Sequence, residues 1–291
     1  MLLEAKLVGP TGLALSVGTE FIENLSGSTA VLSDDEETKQ DCELKALDRL
    51  APVLKRDFPQ LAICLSSDSL YGCGRAIEIA ERNDWAYVFT FKEGRMPSVW
   101  DEVQRLKPLT PANTLALECP NGAKQTYRWV NALSYEDVAK RLHTFHALEC
   151  EETIEGVTTR FAWITNLPVG EKTVVAIATK GGRIRSKIEN EGFNIQKNSD
   201  FNLEHPYSHN PEKLKAYYCL LQIAHIILQF LEKGRLLRRL ATKARKPLSQ
   251  LFGSLRNIAR RLLESFRYRL LSDDAYDPQA AASIQIRLGV T

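Results

Sequence analysis

The stretch LAICLSSD, Leu61 to Asp68, is apolar at every position until it stops abruptly at Ser66-Ser67-Asp68. A strand without polar alternation is one covered on both faces, so the run predicts a buried strand of a layered α/β sheet rather than an edge. Its surroundings fit that architecture. Upstream lies a helix from about Cys42 to Phe58, with Leu44, Leu47, Leu50, Ala51 and Leu54 at helical spacing and Pro52 expected to kink or end it. Downstream come a helix over about Gly74–Arg82 and the aromatic strand WAYVFTFK. Two extended runs, Leu2–Val8 and Leu13–Ile22, are joined by Gly9-Pro10-Thr11-Gly12 and predict a hairpin. The opening order is therefore β-β-α-β-α-β.

From Pro97 the texture changes. After a short helical piece, the runs Thr114–Glu118, Gln125–Ala132, Thr144–Cys150 and Thr158–Thr165 are rich in Thr, Tyr, Trp and Phe and read as strands. They predict a β-rich insertion over residues 97–170, interrupting a core made of 1–96 and 171–232. Helices resume near Glu171, and a further one runs from about Pro211 to Glu232. Residues 233–291 form a basic helical tail with a frayed C-terminus.

Charge is unevenly spread. The net charge is only +2, yet Lys233–Arg269 holds twelve Lys and Arg against one acid, Glu264. The remainder is net acidic, and a polyanion is the natural partner of the tail. The six cysteines are scattered without a CxxC pair, which favours reduced core thiols over disulfides or zinc. The N-terminus lacks a signal peptide's apolar run, and YYCLLQIAHIILQF is too short and too interrupted by Gln222 and His225 to span a bilayer. A cytoplasmic location is expected.

Two carboxylates stand out. Asp68 closes its strand where open α/β sheets bind ligands, although Asp is equally a favoured N-cap. Glu189 lies four residues after Arg185 and eight before Lys197, offsets that place all three on one helical face. By spacing alone this is also what a solvated Arg–Glu pair looks like. His205 and His209 occupy a polar loop nearby, with phosphate contact or capping as alternatives. His225 reads as a core histidine. Trp85, Trp100, Trp129 and Trp163 mark strands and core more than base stacking.

Taken together, DSLY at the strand end (Asp68–Tyr71), RSKIENEGFNIQKN (Arg185–Asn198), NLEHPYSHN (Asn202–Asn210) and the intervening β-rich segment resemble the DDE transposases of bacterial insertion sequences. The resemblance covers roughly Leu2–Glu232. It implies an RNase H-like mixed sheet flanked by helices, with metal-dependent DNA cleavage and strand transfer in DNA transposition. Three carboxylates of such enzymes hold two Mg²⁺ ions, hard cations suited to oxygen ligands. Asp68 would be the second ligand and Glu189 the third, with Arg185 and Lys197 on DNA phosphates. The tail's Arg238, Arg239, Arg260 and Arg261 would bind the DNA backbone. Implied partners are insertion-sequence ends, target DNA, and self-association or a full-length transposase.

The chain departs from the family pattern in three places. Gly182 stands where a Tyr is usual. Gln196 stands where a Lys is usual, with Lys197 one residue on. The first strand of the fold, with the first acidic ligand, is expected upstream of Met1, and Glu20 is the best-placed substitute. The expectation is an N-terminally truncated, catalytically incomplete copy. The alternative is a non-catalytic DNA- or partner-binding fragment that interferes with the full-length enzyme. An RNase H-like nuclease is a third, weaker reading.

Overall fold

A computed structural model describes residues 1–9, 12–23, 42–198, 201–205, 208, 210–233, 242, 250–251 and 253–268. The chain divides into two compact units, Met1–Pro10 with Ser16–Glu189, and Thr11–Leu15 with Asn190–Thr291.

The first unit is mixed α/β. Strands β1 (Leu2–Val8) and β2 (Ala14–Phe21) form the predicted two-stranded sheet. Next come α1 (Glu43–Asp57), β3 (Cys64–Ser67), α2 (Gly74–Arg82), β4 (Ala86–Thr90) and α3 (Pro97–Leu106). Four long strands follow: β5 (Thr114–Glu118), β6 (Lys124–Glu136), β7 (Leu142–Ile154) and β8 (Val157–Thr165). Strands β3 to β8 make one six-stranded sheet in the order β3-β4-β8-β7-β6-β5, with β3 and β4 parallel and the other pairs antiparallel.

Strand periodicity sorts the side chains into two apolar layers. On β4, Tyr87 and Phe89 face a layer closed by Leu50 and Leu54 of α1, Ile77 of α2, and Val99 and Val103 of α3. Val88 faces the other layer, with Trp129, Leu148, Trp163, Val174 and Ile177. Helices therefore cover both faces.

Four expectations change. The apolar run at Leu61–Asp68 predicted a buried strand, but β3 is the end strand of its sheet, with Cys64 exposed and Leu65–Ser67 half-buried. Four residues pair with β4 alone, and composition cannot report the number of neighbours. The insertion is no separate module in its hydrogen bonding: β8 pairs with β4 through Val88–Thr165, Phe89–Ile164 and Thr90–Trp163. Pro52 does not end α1, which runs on to Asp57 with Ala51 and Leu54 buried in the core. The expectation of core cysteines holds for Cys150 alone; Cys42, Cys64 and Cys219 are exposed, and all six are free thiols.

In the second unit, α6 (Pro211–Lys233) is the longest helix described, and a last helix, α7, spans Leu255–Tyr268. By length and composition α6 is long and apolar enough to cross a membrane, against the sequence reading of that run; a third of its most apolar window is buried.

Candidate functional site

Asp68 follows directly on β3, at the C-terminal end of the parallel pair β3–β4. It is half-buried, and its Oδ1 accepts a hydrogen bond from the backbone N–H of Leu70 at 2.9 Å, capping the short 3₁₀ turn Ser69–Tyr71. The capping role is thus realised, on one carboxylate oxygen.

Glu189 lies in a helical stretch of unusual build. The stretch opens with α4 (Val174–Ala176), passes through a π-helical turn at Ile177–Gly182 and a 3₁₀ turn at Arg183–Arg185, and closes through a second π turn, Ile188–Phe193, into α5 (Asn194–Asn198). π turns, with i→i+5 bonding, cluster at functional sites in helices. Arg185, Glu189 and Lys197 therefore lie in succession on a 3₁₀ turn, a π turn and α5, not on one regular helix. Arg185 is half-buried and Glu189 exposed, both in the first unit. Lys197 belongs to the second, where its ammonium lies 3.3 Å from Glu204.

The first π turn presses on the sheet through Gly181 and Gly182. A Cβ on Gly181 would lie 2.6 Å from Val88 Cγ2, and one on Gly182 would lie 2.3 Å from Trp163 Nε1. Any side chain at 182 would collide with the Trp163 indole. Ser66 Oγ donates to the Gly181 carbonyl at 2.6 Å, tying β3 to the same turn. The next residue, Arg183, was assigned no role from sequence. Its guanidinium bonds Glu152 at 2.9 Å, stacks 4.3 Å over Phe161 and approaches Cys150 Sγ at 3.5 Å. Arg183 thus packs the helix on the sheet.

Among the described residues, no group of three or more His, Cys, Asp or Glu side chains comes together as a metal site. Glu20, the suggested substitute ligand, pairs with Arg49 at 2.5 Å on the two-stranded sheet. Asp68 and Glu189 are oxygen donors of the type Mg²⁺ takes.

Of the basic tail, Arg238 and Arg239 lie outside the described residues, as does His209. On α7, Arg256, Arg260 and Arg267 are exposed at spacings of four and seven, so they share one face. Arg261 is half-buried, and Ile258 on another side is buried. Trp129 and Trp163 are buried in the core, so neither offers a face for base stacking.

Two charge networks were not foreseen. Glu149, 3% exposed, accepts hydrogen bonds from Lys107 (2.6 Å), Gln104 (3.1 Å) and Arg160 (2.7 Å). Burial alone would raise the Glu149 carboxyl; these donors instead hold it below its usual range. Asp137 accepts from the Arg141 backbone and guanidinium, and His143 sits between Asp137 (3.3 Å) and Glu81 (2.8 Å). Burial again opposes ionisation, but those donors bring the Asp137 carboxyl down to about 2. Both networks join residues far apart in sequence, which no local pattern reveals. No protein-family model and no curated protein matches this chain.

Proposed function

We propose that the chain is built on the plan of a DDE transposase, an RNase H-like core that binds DNA and places Asp68 and Glu189 as two of the carboxylates for Mg²⁺. One observation carries the reading: the Ser66–Gly181 hydrogen bond ties the strand that ends in Asp68 to the helical stretch that carries Glu189. Asp68 stands two residues beyond the tie and Glu189 eight. The parallel β3–β4 pair, in which β3 has no second neighbour among the described strands, is compatible with that plan. The exposed arginines of α7 supply a sequence-independent hold on the DNA backbone, sensitive to salt. A cytoplasmic location belongs to the same proposal.

The non-catalytic alternative, a DNA- or partner-binding module that interferes with a full-length transposase, is favoured by the absence of a three-carboxylate group among the described residues. A single experiment separates the two. The 291-residue protein is titrated onto duplex DNA at several salt concentrations, with and without Mg²⁺, and the DNA is scored for both retention and nicks. Salt-dependent retention without nicks is expected, together with weak Mg²⁺ binding in calorimetry that vanishes in Asp68→Ala. Nicking abolished by Asp68→Ala or Glu189→Gln would show that the site is complete and remove the alternative. Absence of both DNA retention and carboxylate-dependent metal binding would refute the transposase reading.

A further inference from the structure

Helix α6 is folded inside out. Its buried side carries Tyr218, Gln222, His225 and Gln229 besides Leu221 and Leu231. The Gln229 amide bridges both backbone groups of Ala14, accepting from its N–H at 2.7 Å and donating to its carbonyl at 3.0 Å. Gln196 Nε2 donates to Gln222 Oε1 at 2.8 Å and lies 2.9 Å from His225 Nδ1. Turning the helix to hide its outer side would break these bonds, so the polar network fixes which face points outward.

That outer face is apolar throughout. It carries Leu220, Ile223, Ile227 and Phe230, which are 65%, 53%, 46% and 53% exposed, with the small residues Ala216, Cys219 and Ala224 among them. At about 100° and 1.5 Å per residue, the face covers an arc of about 140° and runs for about 21 Å along the axis. No Asp, Glu, Lys or Arg occurs from Ala216 to Leu231. Amides turned inward onto one another, with aliphatic side chains turned outward over a broad arc, make a helix suited to lipid on its outer side. The chain that follows supplies a charge to match. Directly after α6, Gly234–Lys246 holds six Lys and Arg and no acid. A basic cluster of that size beside an apolar helix face is complementary to anionic headgroups.

We propose that α6 lies flat on an anionic lipid bilayer, its outer face sunk into the headgroup boundary and the basic run after it held by acidic headgroups. Crossing the bilayer would drag the Ala14 backbone and the Gln196 amide into hydrocarbon with the helix, so it rests on the surface. DNA would meet the basic run but leave the apolar face in water. A second copy would cover the apolar face but bring no counter-charge to the basic run. An acidic bilayer meets both.

The inference is independent of the transposase reading. It is tested by co-sedimenting the 291-residue protein with phosphatidylcholine vesicles, with and without about 30% phosphatidylglycerol. Binding should be roughly tenfold tighter to the anionic vesicles and should weaken as salt rises. A Leu220→Glu/Ile227→Glu variant should lose about tenfold of that binding while retaining duplex DNA as the native protein does. Should that variant fail to fold, Phe230→Trp serves instead: lipids brominated along their chains should quench the added indole, with the native protein as the blank. No binding to anionic vesicles, equal binding to both vesicle types, binding unchanged in the double variant, or an unquenched indole in Phe230→Trp would each overturn the proposal. A native dimer that ignores vesicles would overturn it too, and assign the face to a second copy.

Discussion

The sheet of the first unit and helix α6 of the second solve opposite problems. In the sheet, aromatic and aliphatic side chains fill two layers, and the few charges admitted, such as Glu149, are met by several donors each. In α6 the amides and an imidazole are inside and the aliphatic side chains outside. The comparison teaches that burial is decided by partners as much as by hydropathy: a glutamine goes in when another amide waits for it, and an isoleucine stays out when no described residue of its own unit covers it.

The comparison breaks most decisively at Glu149. Glu149→Ala takes the anion from a mostly buried Lys107 and from Arg160, whose side chain is 41% exposed and screened by solvent, and should cost about 2 kcal/mol. Urea unfolding should show a midpoint lowered accordingly; an unchanged midpoint would mean that water replaces the carboxylate. A smaller effect is expected from Gln196→Leu, at a residue with no solvent exposure. Gln222 Oε1 loses the Gln196 amide and His225 Nδ1 keeps the longer contact to Gln229 Nε2 at 3.4 Å, which should destabilise by about 1 kcal/mol. A neutral or stabilising result would show that the polar interior of α6 is dispensable. The smallest effect is set by pH. The folded Asp137 carboxyl is held at about 2, below the usual value near 4, so its stabilisation is present above that usual value and lost as pH falls toward 2. Melting temperatures between pH 5 and pH 2 should therefore fall less steeply in Asp137→Asn than in the native chain.

Much of the fold was legible in the sequence because it rests on local signals. The helix expected over about Cys42–Phe58 is observed at Glu43–Asp57, and those expected at Gly74–Arg82 and Thr114–Glu118 coincide with a helix and a strand. Long-range neighbours were not legible. The solitary pairing of β3, the union of β8 with β4 and the two charge networks each depend on residues brought together across dozens of positions. The site shows the same limit. Asp68 at a strand end could be read from its own neighbours, whereas the π turns around Glu189 could not. Nor could the close approach of Gly182 to Trp163 be read from either residue's own neighbours.

That glycine has a mechanical consequence. Where side chains separate a helix from a sheet, rotamer changes let the two slide by fractions of an ångström. At Gly181 and Gly182 bare backbone rests on Val88 and the Trp163 indole, leaving no such cushion. The stretch just after it, Arg183 to Glu189, therefore inherits its depth and tilt from the strands beneath. Whatever grips Arg185 or Glu189 pulls on the sheet itself.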